Sequence, residues 1–227
     1  MIDIVLPVAC AGCGTPGRAL CPACAAGLTG PARAVEPRPR PPGFPPCWAV
    51  AAYGGPARSA LLAYKERGRA DLLRPLAAAL AAAVTAVTAP GVPVLLVPVP
   101  SRPEAIRQRG ADTTLSLARA TATVLRLAGI DAQALPALRI CRSILDSAGL
   151  DAGRRSANLE GAMAVRAGPL RGARPVRLVL VDDLVTTGTT LTEAARALAA
   201  AGRPASAAAV IAATERRDRL GIAARPY

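Results

Sequence analysis

The stretch RLVLVDDLVTTGTTLTEAARAL, Arg177 to Leu198, carries the most structural information in this chain. Its apolar run, Leu178 to Val181, leads into two adjacent acids, Asp182 and Asp183. A loop of threonines around a glycine follows (Thr186, Thr187, Gly188, Thr189, Thr190), and then Leu191, Ala194, Ala195 and Leu198 recur at helical spacing. The pattern predicts a strand with acids at its carboxyl end and a small-residue loop opening a helix. A helix start leaves backbone N–H groups unpaired and carries partial positive charge, so it attracts an anion. Gly188 lets the backbone come close to a ligand, and the threonine hydroxyls add donors. Carboxylates repel phosphate but accept hydrogen bonds from vicinal hydroxyls, so this pairing suits a sugar phosphate better than bare phosphate. A strand that merely ends in acid and a helix capped by threonine would account for one of each, not for two acids and four threonines. The lysine of a Walker A loop is missing.

The same stretch closely resembles the phosphoribosyl pyrophosphate (PRPP) signature of type I phosphoribosyltransferases. That resemblance implies that Asp182 and Asp183 hold ribose hydroxyls and that Thr186, Thr187, Gly188, Thr189 and Thr190 wrap a 5′-phosphate.

A chain of 227 residues that is 52% hydrophobic can build one full-sized α/β domain with a small appendage. Aromatics make up 2% and alanine fills the apolar positions, which predicts a core of Ala, Val and Leu with closely packed helices. The net charge is +13, and all but one of the 28 basic residues are arginine. Such a balance fits phosphate or nucleic-acid binding that salt weakens; a general arginine habit in surface positions is the competing reading. So few aromatics leave little with which to stack single-stranded bases.

The N-terminus MIDIVLPVAC lacks the basic segment and the long apolar run of a secretory signal. The uncharged stretch from Pro75 to Ser101 has the length of a membrane span, but Pro90, Gly91, Pro93, Pro98 and Pro100 interrupt it. It reads as helix followed by strand, and a cytoplasmic protein without a membrane partner is expected.

Four of the six cysteines form two CxxC knuckles, Cys10 with Cys13 and Cys21 with Cys24. Four soft thiolates suit a closed tetrahedral zinc site. Structural disulfides and a thioredoxin-like redox pair are the alternatives, the first disfavoured in a reducing compartment. Residues 1–28 are therefore expected to form a metal knuckle stabilised mainly by its ion. Residues 29–46 hold seven prolines and read as a semi-rigid spacer. Residues 47–227 form the α/β domain.

Within that domain the expected elements are a strand at Trp48 to Tyr53, helices at Pro56 to Tyr64 and Leu72 to Val87, and a strand at Val94 to Val99. Ser101 to Gly110 reads as a loop, Thr114 to Leu127 as a helix and Leu135 to Ile140 as a short strand. Arg142 to Asn158 reads as a mobile loop. Strands at Val176 to Val181 and Ala207 to Ala212 flank the helix of the signature. Strands alternating with helices predict a parallel sheet with ligands at its carboxyl edge.

The order of features over nearly the whole chain resembles the ComF family, phosphoribosyltransferase-like proteins associated with DNA uptake in transformable bacteria. The matching pieces are the double CxxC, YGGPARSALLAYKERGR around Lys65, VPVPSRPEAIRQRG, Arg142, the block Arg155 to Gly161, and VLVDDLVTTGTTL. Ala111, Asp112 and Thr113 stand where the family usually continues RGFNQ, and Ile144 and Ser147 stand where it tends to have Thr and Gln. The resemblance implies a type I phosphoribosyltransferase-like fold, structural Zn²⁺, and a PRPP-like ligand bound with Mg²⁺. It also implies a link to competence, through phosphoribosyl transfer to an acceptor that the sequence does not name. The alternative is a non-catalytic adaptor that binds single-stranded DNA or a helicase-like partner.

Lys65 is the one lysine of the chain. Either a compact point charge is required there, near a pyrophosphate, or chance has left it. Arg107 and Arg109 can offer guanidinium forks to pyrophosphate oxygens, or they are a solvated basic turn. Asp182, Asp183, Lys65, Arg107 and Arg109 are thus the candidate catalytic residues.

Overall fold

A computed structural model describes residues 8–141, 161–168 and 176–214. Arg142, most of the Arg155 to Gly161 block, and the Arg142 to Asn158 loop with Ile144 and Ser147 lie outside the described residues.

The domain is an α/β structure around a six-stranded sheet. Its strands are β1 (Arg33–Val35), β2 (Cys47–Ala52), β3 (Val94–Pro98), β4 (Ala132–Ala134), β7 (Arg177–Val185) and β8 (Ala207–Ala213), in spatial order β1-β2-β8-β7-β3-β4. All neighbours run parallel except β1, which lies antiparallel on β2. A separate hairpin pairs β5 (Leu138–Ile140) with β6 (Met163–Val165). The helices are α1 (Pro22–Ala26), α2 (Gly55–Glu66), α3 (Leu73–Thr85), α4 (Pro103–Arg109), α5 (Thr113–Leu127) and α6 (Thr189–Ala200).

Two cores flank the sheet. Leu61, Leu76, Leu80, Leu117 and Leu125 of α2, α3 and α5 share one with Val179, Val181 and Ile211. Leu191, Ala194 and Leu198 of α6 share the other with Leu178, Leu180 and Val210. Every residue of β8, AAAVIAA, is buried, as expected of a parallel strand covered on both faces. Its alanines take little room, which lets α3 pack directly over it.

The chain leaves β3 through α4 and α5 toward β4, and leaves β7 through α6 toward β8 on the opposite side. These two connections diverge, so β3 and β7 bound a topological switch point, where ligands of such sheets bind. β3 stops opposite Val181, whereas β7 continues, pairing Asp182, Leu184 and Val185 with Val210, Ala212 and Ala213 of β8. The two acids therefore sit inside the last part of a nine-residue strand rather than after it, and beyond Val181 no further pairing joins β7 to β3.

Pro98 does not weaken β3. Odd positions bond toward β7, with Val99 N–H donating to the Val181 carbonyl at 3.0 Å, and even positions bond toward β4. β4 pairing ends at Leu96, so the donor that Pro98 lacks faces no strand.

Two expectations need correction. Ser101 to Gly110 is not a loop: Pro103 to Arg109 form α4. Proline in the first turn, Glu104 beside it and Gly110 at φ +72° just past the end are helix-bounding residues. The proline-rich 29–46 stretch does not stand off as a spacer. It contributes β1 to the sheet edge, and Pro37 and Phe44 are buried against the domain. The Pro75 to Ser101 stretch resolves into α3, a turn and β3, and no described helix is long and apolar enough to cross a membrane.

Candidate functional site

Lys65 lies in the last turn of α2, and its Nζ lies 2.6 Å from Asp183 Oδ1. The Asp183 side chain is 5% exposed and that of Lys65 28%, so the pair is mostly shielded from water. Burial works to lower the Lys65 pKa, but the charges of Asp183 and Asp182 outweigh it and hold the ammonium above its usual value. Asp182 accepts the backbone N–H of Asp183 at 2.9 Å and has no lysine partner of its own. Burial in the first place, and the adjacent Asp183 charge in the second, push its carboxyl up to about 8. The two acids thus differ: Asp183 is paired with a cation, whereas the carboxyl of Asp182 is raised and has no lysine partner.

The switch point gathers further groups. Tyr64 donates its hydroxyl to the Thr113 carbonyl at 3.0 Å, fastening α2 to the start of α5. Ser101, just after β3, donates to Asp112 Oδ1 at 2.8 Å, and the same oxygen caps α5 by accepting from Leu115 N–H. Arg109 at the end of α4 reaches Glu66 Oε1 at 2.8 Å, one residue from Lys65, and its charge acts on Lys65. Arg107 does not join them. It is 70% exposed and paired with Glu104 on its own helix, because α4 turns it away from Arg109. Of the five candidate catalytic residues, Asp182, Asp183, Lys65 and Arg109 converge.

The threonine loop follows directly. Gly188 stands before α6 at φ +76°, and Thr189 is the first residue of the helix. Thr187 and Thr189 hydroxyls lie 3.0 Å apart, and Thr192 N–H donates to the Gly188 carbonyl at 2.9 Å. Thr186 is exposed, Thr187 and Thr190 are half-buried, and Thr189 is buried. The close approach at Gly188 is made by the chain itself. A Cβ there would lie 2.7 Å from Pro37 Cγ and 2.8 Å from Phe44 Cε2. Phe44 went unnoticed in the sequence, although a lone phenylalanine in a proline-rich stretch is a signal of packing.

The four N-terminal cysteines come together, their sulfurs all within 4.8 Å of one another. Zn–S bonds of about 2.3 Å put tetrahedral sulfurs roughly 3.8 Å apart, and Cys13 and Cys21 Sγ are 3.6 Å apart. Cys10 Sγ accepts N–H bonds from Cys21 and Gly12, at 3.3 and 3.4 Å. Those bonds, the Cys21 one foremost, bring its thiol down to about 6. A Cβ on Gly12 would lie 2.6 Å from Cys24 Sγ, so the first knuckle needs glycine to let the second approach. The set fits a structural metal ion. Arg69 donates to the Ala9 carbonyl at 2.9 Å, and Leu28 is buried in the main core; both fasten the knuckle to the domain. Cys47 is a buried core residue, its thiol pushed up to about 12 by burial and then by Asp182.

No protein-family model matches this chain, and no curated protein matches it.

Proposed function

We propose that the chain is a ComF-like, type I phosphoribosyltransferase-fold protein that binds a PRPP-like sugar phosphate with Mg²⁺ at the carboxyl ends of β3 and β7, and transfers its phosphoribosyl group. The observation that carries this reading is the juxtaposition at the switch point: two acids on β7, then Gly188 at φ +76° and the start of α6. Ribose hydroxyls would donate to Asp182 and Asp183, and the N–H groups at the start of α6 with the threonine hydroxyls would hold the 5′-phosphate. The Asp182 carboxyl, raised by burial and then by the adjacent Asp183 charge, is suited to receive hydroxyl donors or a cation that arrives with the ligand. Mg²⁺ takes hard oxygen ligands and keeps several waters, which the ligand's own oxygens and these carboxylates can supply; bound, it would neutralise pyrophosphate charge. Lys65 and Arg109 would stabilise the departing pyrophosphate and position C1′ for attack.

In this reading Cys10, Cys13, Cys21 and Cys24 hold Zn²⁺, which contributes folding energy and no chemistry. The second reading, a non-catalytic adaptor for single-stranded DNA or a helicase-like partner, is favoured by the net charge of +13. Titration with PRPP and Mg²⁺ beside titration with single-stranded DNA, at two salt concentrations, separates them. Saturable PRPP binding supports the first reading. Salt-sensitive DNA binding without PRPP binding supports the second.

A further inference from the structure

We propose that Phe44, seated with Pro37 on Gly188, is a positioning residue for the threonine loop, a wall that holds the loop in its anion-binding shape; the inference rests on the sugar-phosphate reading of that loop. Phe44 is the one phenylalanine of the chain and is 3% exposed. Its ring edge lies 2.8 and 2.9 Å, and Pro37 Cγ 2.7 Å, from where a Cβ of Gly188 would be. The ring edge therefore occupies the space that a side chain at position 188 would need. Glycine is the residue with the widest backbone freedom, and here it sits where the loop must aim successive N–H groups at one point.

Phe44 is itself well fixed. Arg40 donates to its carbonyl at 3.0 Å while pairing with Glu36, and its own N–H donates to the Pro41 carbonyl at 3.1 Å. Val185 and Leu191, on either side of the loop, belong to the same buried cluster as the ring. With one side of Gly188 closed by carbon, an anion must approach from the other side. The proline-rich segment is thereby tied to the site instead of merely connecting two domains.

The test uses the full-length protein, its Phe44→Ala and Phe44→Leu variants, and ribose 5-phosphate as probe. Amide hydrogen exchange at residues 188–190 should quicken in Phe44→Ala, while amides of β8 exchange as in wild type. If the competent loop shape then falls to about a tenth of the population, affinity falls about tenfold. Phe44→Leu, which keeps an apolar group on the glycine, should recover part of both effects. Should Phe44→Ala not fold, Phe44→Leu and Pro37→Ala provide the same two readouts. Unchanged loop exchange, or loosening that extends equally through β8, overturns the proposal, as does wild-type affinity in a variant with a loosened loop. Loop exchange that depends on Phe44 in a protein that never binds ribose 5-phosphate supports the wall and sinks the sugar-phosphate reading instead.

Discussion

Lys65 Nζ and Asp183 Oδ1 meet at 2.6 Å across 118 residues of sequence, joining the end of α2 to the end of β7. The contact gives a nearly buried carboxylate its counter-charge. In a chain whose other 27 basic residues are arginine, the shorter, point-like ammonium is the cation found there.

Removing that ammonium should cost stability. Lys65→Met leaves Asp183 buried without its partner, at about 2 kcal/mol, or a fall of roughly 4–8 °C in melting temperature for a chain this size. The folded pKa of Lys65 is raised, so the pair contributes fully below the ordinary lysine range and is lost only as pH rises through the higher folded value. The penalty should be flat from pH 6 to 9 in thermal melts. A loss that disappears at pH 9 would contradict the pairing.

Asp182 makes the opposite prediction. Its folded pKa of about 8 lies far above the ordinary aspartate value of 3.8, so between those values the native state binds a proton that the unfolded chain has released. Stability from this group falls as pH rises across that window. Asp182→Asn should therefore gain on wild type in melting temperature between pH 5 and pH 9. A constant difference across the range would show that Asp182 ionises normally.

Metal removal tests the knuckle. The purified protein should hold about one zinc per chain, and chelation should lower its melting temperature. Gly12→Ala should weaken zinc retention without touching a ligand, because its Cβ would fall 2.6 Å from Cys24 Sγ. A metal-free protein of full stability would rule the site out.

Two glycines with nearly equal φ separate backbone strain from packing. Gly110 (φ +72°) has nothing within 4 Å of a Cβ, whereas Gly188 (φ +76°) faces Pro37 and Phe44. Gly110→Ala should cost about 1 kcal/mol from the left-handed backbone alone, and Gly188→Ala roughly 2–4 kcal/mol because overpacking adds to it. Equal losses in denaturant titrations would mean that Phe44 yields freely.

The periodic parts of this fold were legible in the sequence. The apolar run into Asp182 and Asp183, the leucine spacing of α6 and the CxxC pairs all report local rules that the fold obeys. Less legible were features set by distant partners. β1 forms from Arg33–Val35 because β2 offers an open edge, and nothing in a proline-rich stretch announces that. The helix at Pro103–Arg109, read as a loop, was readable from the proline in its first turn and the glycine just past its end. That Lys65 meets Asp183, and that Arg107 does not join them, follows from how α2 and α4 are set against the sheet, which spacing alone cannot express.

The most direct test of the central claim is calorimetric titration of PRPP with Mg²⁺ into the wild-type protein and into the Asp182→Asn/Asp183→Asn double variant. Ionised carboxylates accept hydroxyl hydrogen bonds about twice as strongly as neutral acceptors. Wild type should bind saturably, releasing a proton near neutral pH as Asp182 ionises against the ligand. The folded double variant should show no binding. A wild type without binding heat, or a double variant that binds equally well, would contradict the sugar-phosphate account.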